Sequence, residues 1–163
     1  MGTGSLEEVI GRLLRDRGWR IATAESCTGG LIAHRITNVA GSSDYFESGV
    51  ISYSNESKME LLKVPEGIIH AYGAVSRQTA IAMAEGIRRL RNTDMGLGVT
   101  GIAGPAGGTA EKPVGLVYIA LSSEIRVECS ELRFGGEREA IKLRMSEAAL
   151  EMIRGQLEEP VTV

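Results

Sequence analysis

Apolar residues recur along the chain in two rhythms, helical spacing and short continuous runs, and their alternation predicts the fold class. Leu6, Val9, Ile10, Leu13 and Leu14 keep helical spacing behind Ser5-Leu6-Glu7-Glu8, a capping-box pattern, and Gly18 marks the stop. A short buried strand over 19–24 leads into a turn, Glu25-Ser26-Cys27-Thr28-Gly29-Gly30, and a helix over 31–37. Turn residues at 38–43 precede a second strand over 45–53. Ser54-Asn55 caps a short helix ending at Leu62, and Pro65 breaks the pattern. Ser76 caps the clearest helix, with Ala80, Met83, Ala84, Ile87 and Leu90 on one face and Arg88, Arg89 and Arg91 in its last turn. A third strand covers 95–100. A fourth, at 114–121, is so uniformly apolar that it reads as central. A hairpin turn at 122–124 leads to an alternating strand at 125–129, and the last helix spans about 137–156.

Helices alternating with strands, with one hairpin, predict a three-layer α/β/α sandwich on a mostly parallel, mixed sheet of about five strands. A single domain over 1–163 is expected, with its ordered core at about 5–157. Ligands in such sheets bind where strand carboxyl ends meet loops. Two glycine-bearing loops, after Ala24 and after Thr100, start at such ends and should share one edge.

Composition narrows the partners. A net charge of -3 gives no electrostatic footprint for nucleic acid. No apolar run reaches the length of a membrane span, so a cytoplasmic location and no membrane partner are expected. Cys27 and Cys129 make neither a disulfide framework nor a zinc spacing, and with only His34 and His70 no metal or cofactor site is expected. A homodimer or higher homo-oligomer is expected from the habit of small α/β enzymes.

The loop after Thr100 carries Gly101, Gly104, Gly107 and Gly108, with Gly98 just before it continuing the spacing, and lacks the Gly-Lys-Ser/Thr ending of a triphosphate cradle. It fits either a close-packed crossover or a place where main-chain N–H groups meet an anion. Ser26 fits either a nucleophile or a small residue in a turn, with Thr28 as helix cap. It lies outside a Gly-x-Ser-x-Gly elbow, and neither histidine is well placed as its base. A desolvated lysine can replace histidine, and Lys58 or Lys63 is nearest in sequence. By the residues alone, Lys58 reads as a solvated surface group. Cys27 is either a rival nucleophile or a packing residue. Arg138 and Lys142, one helical turn apart, could hold a phosphate or carboxylate, or simply form a charged helix face.

Four ordered segments together resemble the C-terminal domain of the CinA family, which includes stand-alone nicotinamide mononucleotide deamidases. They are Ala24 to Gly30, Tyr53-Ser54-Asn55-Glu56-Ser57-Lys58, Gly73-Ala74-Val75-Ser76, and Thr100 to Pro105 continuing through Lys112-Pro113-Val114-Gly115. The resemblance implies hydrolysis of the carboxamide of nicotinamide mononucleotide, giving nicotinic acid mononucleotide and ammonia. It implies a Ser/Lys amidohydrolase with Ser26 as nucleophile, Lys58 as base, and Tyr53 and Thr100 in support. N–H groups at Cys27, Thr28 and Gly29 would hold the oxyanion. Gly30, Asn55, Gly101, Gly104 and Gly107 would line the substrate site, and Arg138 and Lys142 would surround the phosphate. The same resemblance allows a binding module without turnover, or an amidase for another small substrate. The chain departs from the family pattern at Ala106, where glycine is usual, at Glu137, where aspartate is common, and at Lys142, where arginine is common.

Overall fold

The computed structural model describes residues 3–161 of the chain. Helix α1 (Leu6–Arg17) starts at Ser5, whose hydroxyl accepts the Glu8 N–H at 3.2 Å while the Glu8 carboxylate accepts the Ser5 N–H at 2.7 Å. Gly18, at φ 66°, ends it in the left-handed conformation that favours glycine. The chain continues through β1 (Ile21–Glu25), α2 (Leu31–Thr37), a 3-10 turn (Ser42–Asp44), β2 (Phe46–Ile51) and α3 (Asn55–Leu62). Then follow α4 (Glu66–Tyr72), α5 (Arg77–Arg91), β3 (Met95–Gly101), β4 (Leu116–Ser123), β5 (Val127–Arg133) and α6 (Arg138–Glu158).

The sheet has five strands in the order β2-β1-β3-β4-β5. Strands β2, β1 and β3 pair in parallel, whereas β4 runs antiparallel to both β3 and β5. Strand β4 is thus the one reversed strand, which makes the sheet mixed and mostly parallel, as expected. The central position belongs to β3 rather than to the apolar fourth strand. Strand β4 is apolar because it is flanked on both edges and covered on both faces, not because it lies at the middle.

Helices α1, α2 and α6 cover one face of the sheet, over a core containing Ile10, Leu14, Ile32, Leu97, Ile119, Met145 and Ile153. Helices α3, α4 and α5 cover the other, over Ala22, Ala24, Leu62, Met83 and Ile87. Arg35 ties the first layer together: its guanidinium meets Glu7 of α1 at 2.7 Å and Ser146 and Glu147 of α6 at 2.9 and 2.6 Å.

Two expectations change. Pro65 does not leave a loop behind it but stands at the N-terminus of α4, where its fixed φ and missing N–H suit a helix start. His70 consequently lies on that helix. The α2 cap also differs: the helix starts at Gly30, φ 99°, with no side-chain cap, and Thr28 is engaged elsewhere. Among the described residues no helix is long and apolar enough to cross a membrane.

Candidate active site

Parallel β1 and β3 lie side by side, so the segments leaving their carboxyl ends meet. Ser26 follows β1 directly, and its N–H donates to the Val99 carbonyl of β3 at 3.0 Å, extending the ladder one residue past the strand. The second glycine loop leaves the adjacent end of β3. Between them lies a cavity of about 250 Å³ lined by Ser26, Cys27, Lys58, Thr100, the loop from Gly101 to Gly107, and Ala74 and Val75.

Lys58 enters from α3. Ser54 caps that helix by accepting the Ser57 N–H at 3.0 Å, which sets Lys58 in its first turns. The side chain then turns inward and is 1% exposed, so the surface reading of Lys58 does not hold. Its Nζ donates to the carbonyls of Ser52 at 2.8 Å and Tyr53 at 3.2 Å and stands 3.0 Å from Ser26 Oγ. Burial holds the Lys58 pKa below its usual value, only partly opposed by the nearby Cys27, and no carboxylate contributes to it. A neutral amine has two N–H bonds and one lone pair. With both N–H groups on the two carbonyls, the lone pair is left for the Ser26 hydroxyl, the geometry of a general base on a nucleophile.

Cys27 occupies the opposite situation. Its Sγ is 3.6 Å from Met145 Sδ in the core, and burial pushes the thiol pKa up to about 12. A thiol so far from ionisation is a packing group rather than a nucleophile.

The remaining expected residues divide. Thr100 lines the cavity, and its hydroxyl donates to the Ala74 carbonyl at 2.8 Å, tying β3 to the segment before α5. Tyr53 contributes mainly its carbonyl. Its ring is 60% exposed at the rim, where the hydroxyl meets Arg138 Nη2 at 3.1 Å. Asn55 is exposed and outside the cavity lining, so the structure does not bring it to the site. The Gly29 N–H closes the turn on the Ser26 carbonyl at 3.0 Å, which leaves Cys27 and Thr28 as the turn's candidate oxyanion donors. Gly101, Gly104 and Gly107 all line the cavity. Ala106 lines it too, with no positive φ, so its methyl group meets no backbone penalty there.

A second cleft, about 590 Å³, adjoins the first and is lined by Thr28, Gly29, Gly30, Leu31, His34, Arg138, Glu139 and Lys142. Arg138 belongs to both, its guanidinium hydrogen-bonded to the Gly104 carbonyl and the Tyr53 hydroxyl. The two clefts therefore form one site with two arms that meet at Arg138, Ser26 in the smaller and Lys142 in the larger.

Ala74, Val75 and Ile102 also line the cavity and Glu25 holds Thr28, yet none of the four stands out by residue type. Ala74 and Val75 sit in one of the four resembling segments, which was their available signal. Glu25 lies inside the serine segment itself.

The whole chain has close relatives. The family profile of the CinA C-terminal domain matches residues 3–157. A CinA-like protein of Koribacter versatilis is 53% identical over 153 residues, covering 94% of this chain and 37% of that protein. A CinA-like protein of Kosmotoga olearia is 50% identical over 157 residues, covering 96% of this chain and 38% of that protein. The chain thus spans well under half the length of these curated relatives. The crystal structure of the Agrobacterium tumefaciens competence/damage inducible protein CihA superposes with a TM-score of 0.89 at 42% identity, covering 98% of this chain and 99% of that one. The competence damage-inducible protein A of Klebsiella pneumoniae superposes with a TM-score of 0.90 at 33% identity, covering 93% and 94%.

Proposed function

The chain belongs to the CinA C-terminal domain family, and from that premise we propose that it is a Ser/Lys amidohydrolase that deamidates nicotinamide mononucleotide. The observation that carries this reading is the buried Lys58 Nζ at 3.0 Å from Ser26 Oγ, with two backbone carbonyls taking its N–H groups.

Neutral Lys58 takes the Ser26 proton as Oγ attacks the carboxamide carbon. The C=O pair moves onto oxygen, and the N–H groups of Cys27 and Thr28 receive the oxyanion. Collapse expels the amide nitrogen, which takes the proton back from the Lys58 ammonium and leaves as ammonia. An acyl-Ser26 ester remains. Water, deprotonated by Lys58, attacks that ester; the Oγ–C bond breaks, Ser26 Oγ takes the proton back from the Lys58 ammonium, and the product leaves as the carboxylic acid, which ionises in water. The smaller arm has the size for one flat ring bearing the carboxamide. The larger arm offers the Lys142 ammonium and the Arg138 guanidinium, on one face of α6, to an anionic substituent.

The assay is ammonia release from nicotinamide mononucleotide, run beside nicotinamide riboside, free nicotinamide and the dinucleotide. The mononucleotide is expected to turn over fastest. Lys142→Ala should raise KM for the mononucleotide about tenfold, the worth of one hydrogen bond to a charged group, and leave the riboside unchanged. Equal effects on both would remove the phosphate from the larger arm. Thermal stabilisation by the mononucleotide without ammonia release would favour a binding module that has lost turnover.

A further inference from the structure

The serine turn is held from below by a side chain that takes no part in the mechanism above. Glu25 ends β1, is 1% exposed, and faces the α2 layer while Ser26 faces the cavity. Three donors converge on its carboxyl group. The Thr28 hydroxyl lies 2.7 Å and the Ile32 N–H 2.9 Å from Oε1, and the Ala33 N–H lies 3.0 Å from Oε2. The two amides belong to the first turn of α2, whose own cap, Gly30, has no side chain to offer. Glu25 therefore performs the capping across the whole turn, from the strand that precedes it.

That arrangement determines more than helix stability. The segment between Glu25 and Ile32 contains two left-handed glycines, Gly29 at φ 60° and Gly30 at φ 99°, and is intrinsically soft. It is fixed at one end by the β1 ladder and at the other by the amides on Glu25. In the middle, the Thr28 hydroxyl is fastened to the same oxygen. The stretch from Ser26 to Thr28 carries both the nucleophile and the candidate oxyanion amides.

We propose that Glu25 is a positioning residue that holds the Ser26–Thr28 turn in register with Lys58. The role rests on the Ser/Lys reading above, and Glu25 touches neither substrate nor the reacting atoms. A glutamine cannot serve equally. Its one carbonyl oxygen can take Thr28 and Ile32, but its NH₂ group then faces the Ala33 N–H, donor against donor. The turn loses its third anchor at nearly constant volume.

The test uses a serine-directed fluorophosphonate, followed by intact mass and peptide mapping at Ser26, which needs no knowledge of the substrate. Hydrogen exchange at Ile32 and Ala33 is read in parallel. Glu25→Gln should slow Ser26 labelling at least tenfold well below its melting temperature. It should also speed exchange of the Ala33 amide and lower kcat for ammonia release with KM little changed. Thr28→Val should slow labelling in the same direction, with Thr28→Ser restoring it, which keeps the test open if Glu25→Gln folds poorly. Glu25→Gln that melts lower yet labels within twofold of the parent makes Glu25 a purely structural cap and overturns the proposal. A parent protein that is not labelled at Ser26 while binding the probe overturns the Ser/Lys reading itself, and this role with it.

Discussion

Lys58→Met is expected to lose turnover by about 10²–10⁴-fold, the usual contribution of a positioned general base. Methionine retains much of the buried stem's packing but has nothing to receive the Ser26 proton. The substitution should also change how stability depends on pH. Burial lowers the folded pKa of Lys58 below the ordinary lysine value of 10.5. Between that lowered value and 10.5 the unfolded chain carries a proton that the folded chain does not, so the parent's stability rises with pH across this window. Lys58→Met lacks that rise. Urea midpoints of the two proteins should therefore diverge in the parent's favour as the buffer is taken from neutral to alkaline. In the same direction, kcat/KM of the parent should climb as Lys58 loses its proton. Parallel midpoints would mean that Lys58 keeps its ordinary pKa in the folded protein.

Gly98→Ala is expected to be strongly destabilising, because the added methyl group has no room inside the sheet. A Cβ there would stand 2.4 Å from the Ala80 carbonyl oxygen and 2.6 Å from the Ala84 nitrogen. Both obstacles are backbone atoms of α5, packed against the central strand, so no side-chain rotation relieves them. Gly96 meets the same helix in the same way, with the Ala84 oxygen at 2.3 Å. The two glycines are two apart on β3 and so face one side of the strand. They let the helix approach as closely as it does. Overpacking on this scale costs about 3 kcal/mol, which corresponds to a melting temperature roughly 6–12 °C lower for a chain of this length. Thermal denaturation followed by circular dichroism gives the value directly. An unchanged midpoint would mean that α5 can move away from β3 at no cost.

Gly98 also shows where sequence reading reaches its limit. By spacing alone it continues the series Gly101, Gly104 and Gly107, yet only those three line the cavity. The periodicity that separates them, Gly96-x-Gly98 inside an apolar strand, was present in the sequence. The caps at Ser5, Ser54 and Ser76 were legible because each acts within its own turn. Thr28 reads locally as the cap of α2, but the acceptor that caps it lies before the turn, on Glu25, where no local rule looks. Lys58 was the least legible of all. Its burial depends on two carbonyls after β2 and a hydroxyl after β1, groups that only the parallel pairing of those strands brings together. What the family resemblance added was the pairing of Ser26 with Lys58, and the 3.0 Å separation is consistent with it.

The residue order Ser26-Cys27 offers the sharpest test of the central claim, because two nucleophile types stand side by side in very different surroundings. Ammonia release from nicotinamide mononucleotide should be measured for the parent, Ser26→Ala and Cys27→Ala, with the folded state of each checked by circular dichroism. Ser26→Ala is expected to fall to background, while Cys27→Ala, which removes a core thiol whose pKa burial pushes up to about 12, is expected to keep turnover of the same order as the parent. Full activity in Ser26→Ala beside a dead but folded Cys27→Ala would contradict that claim.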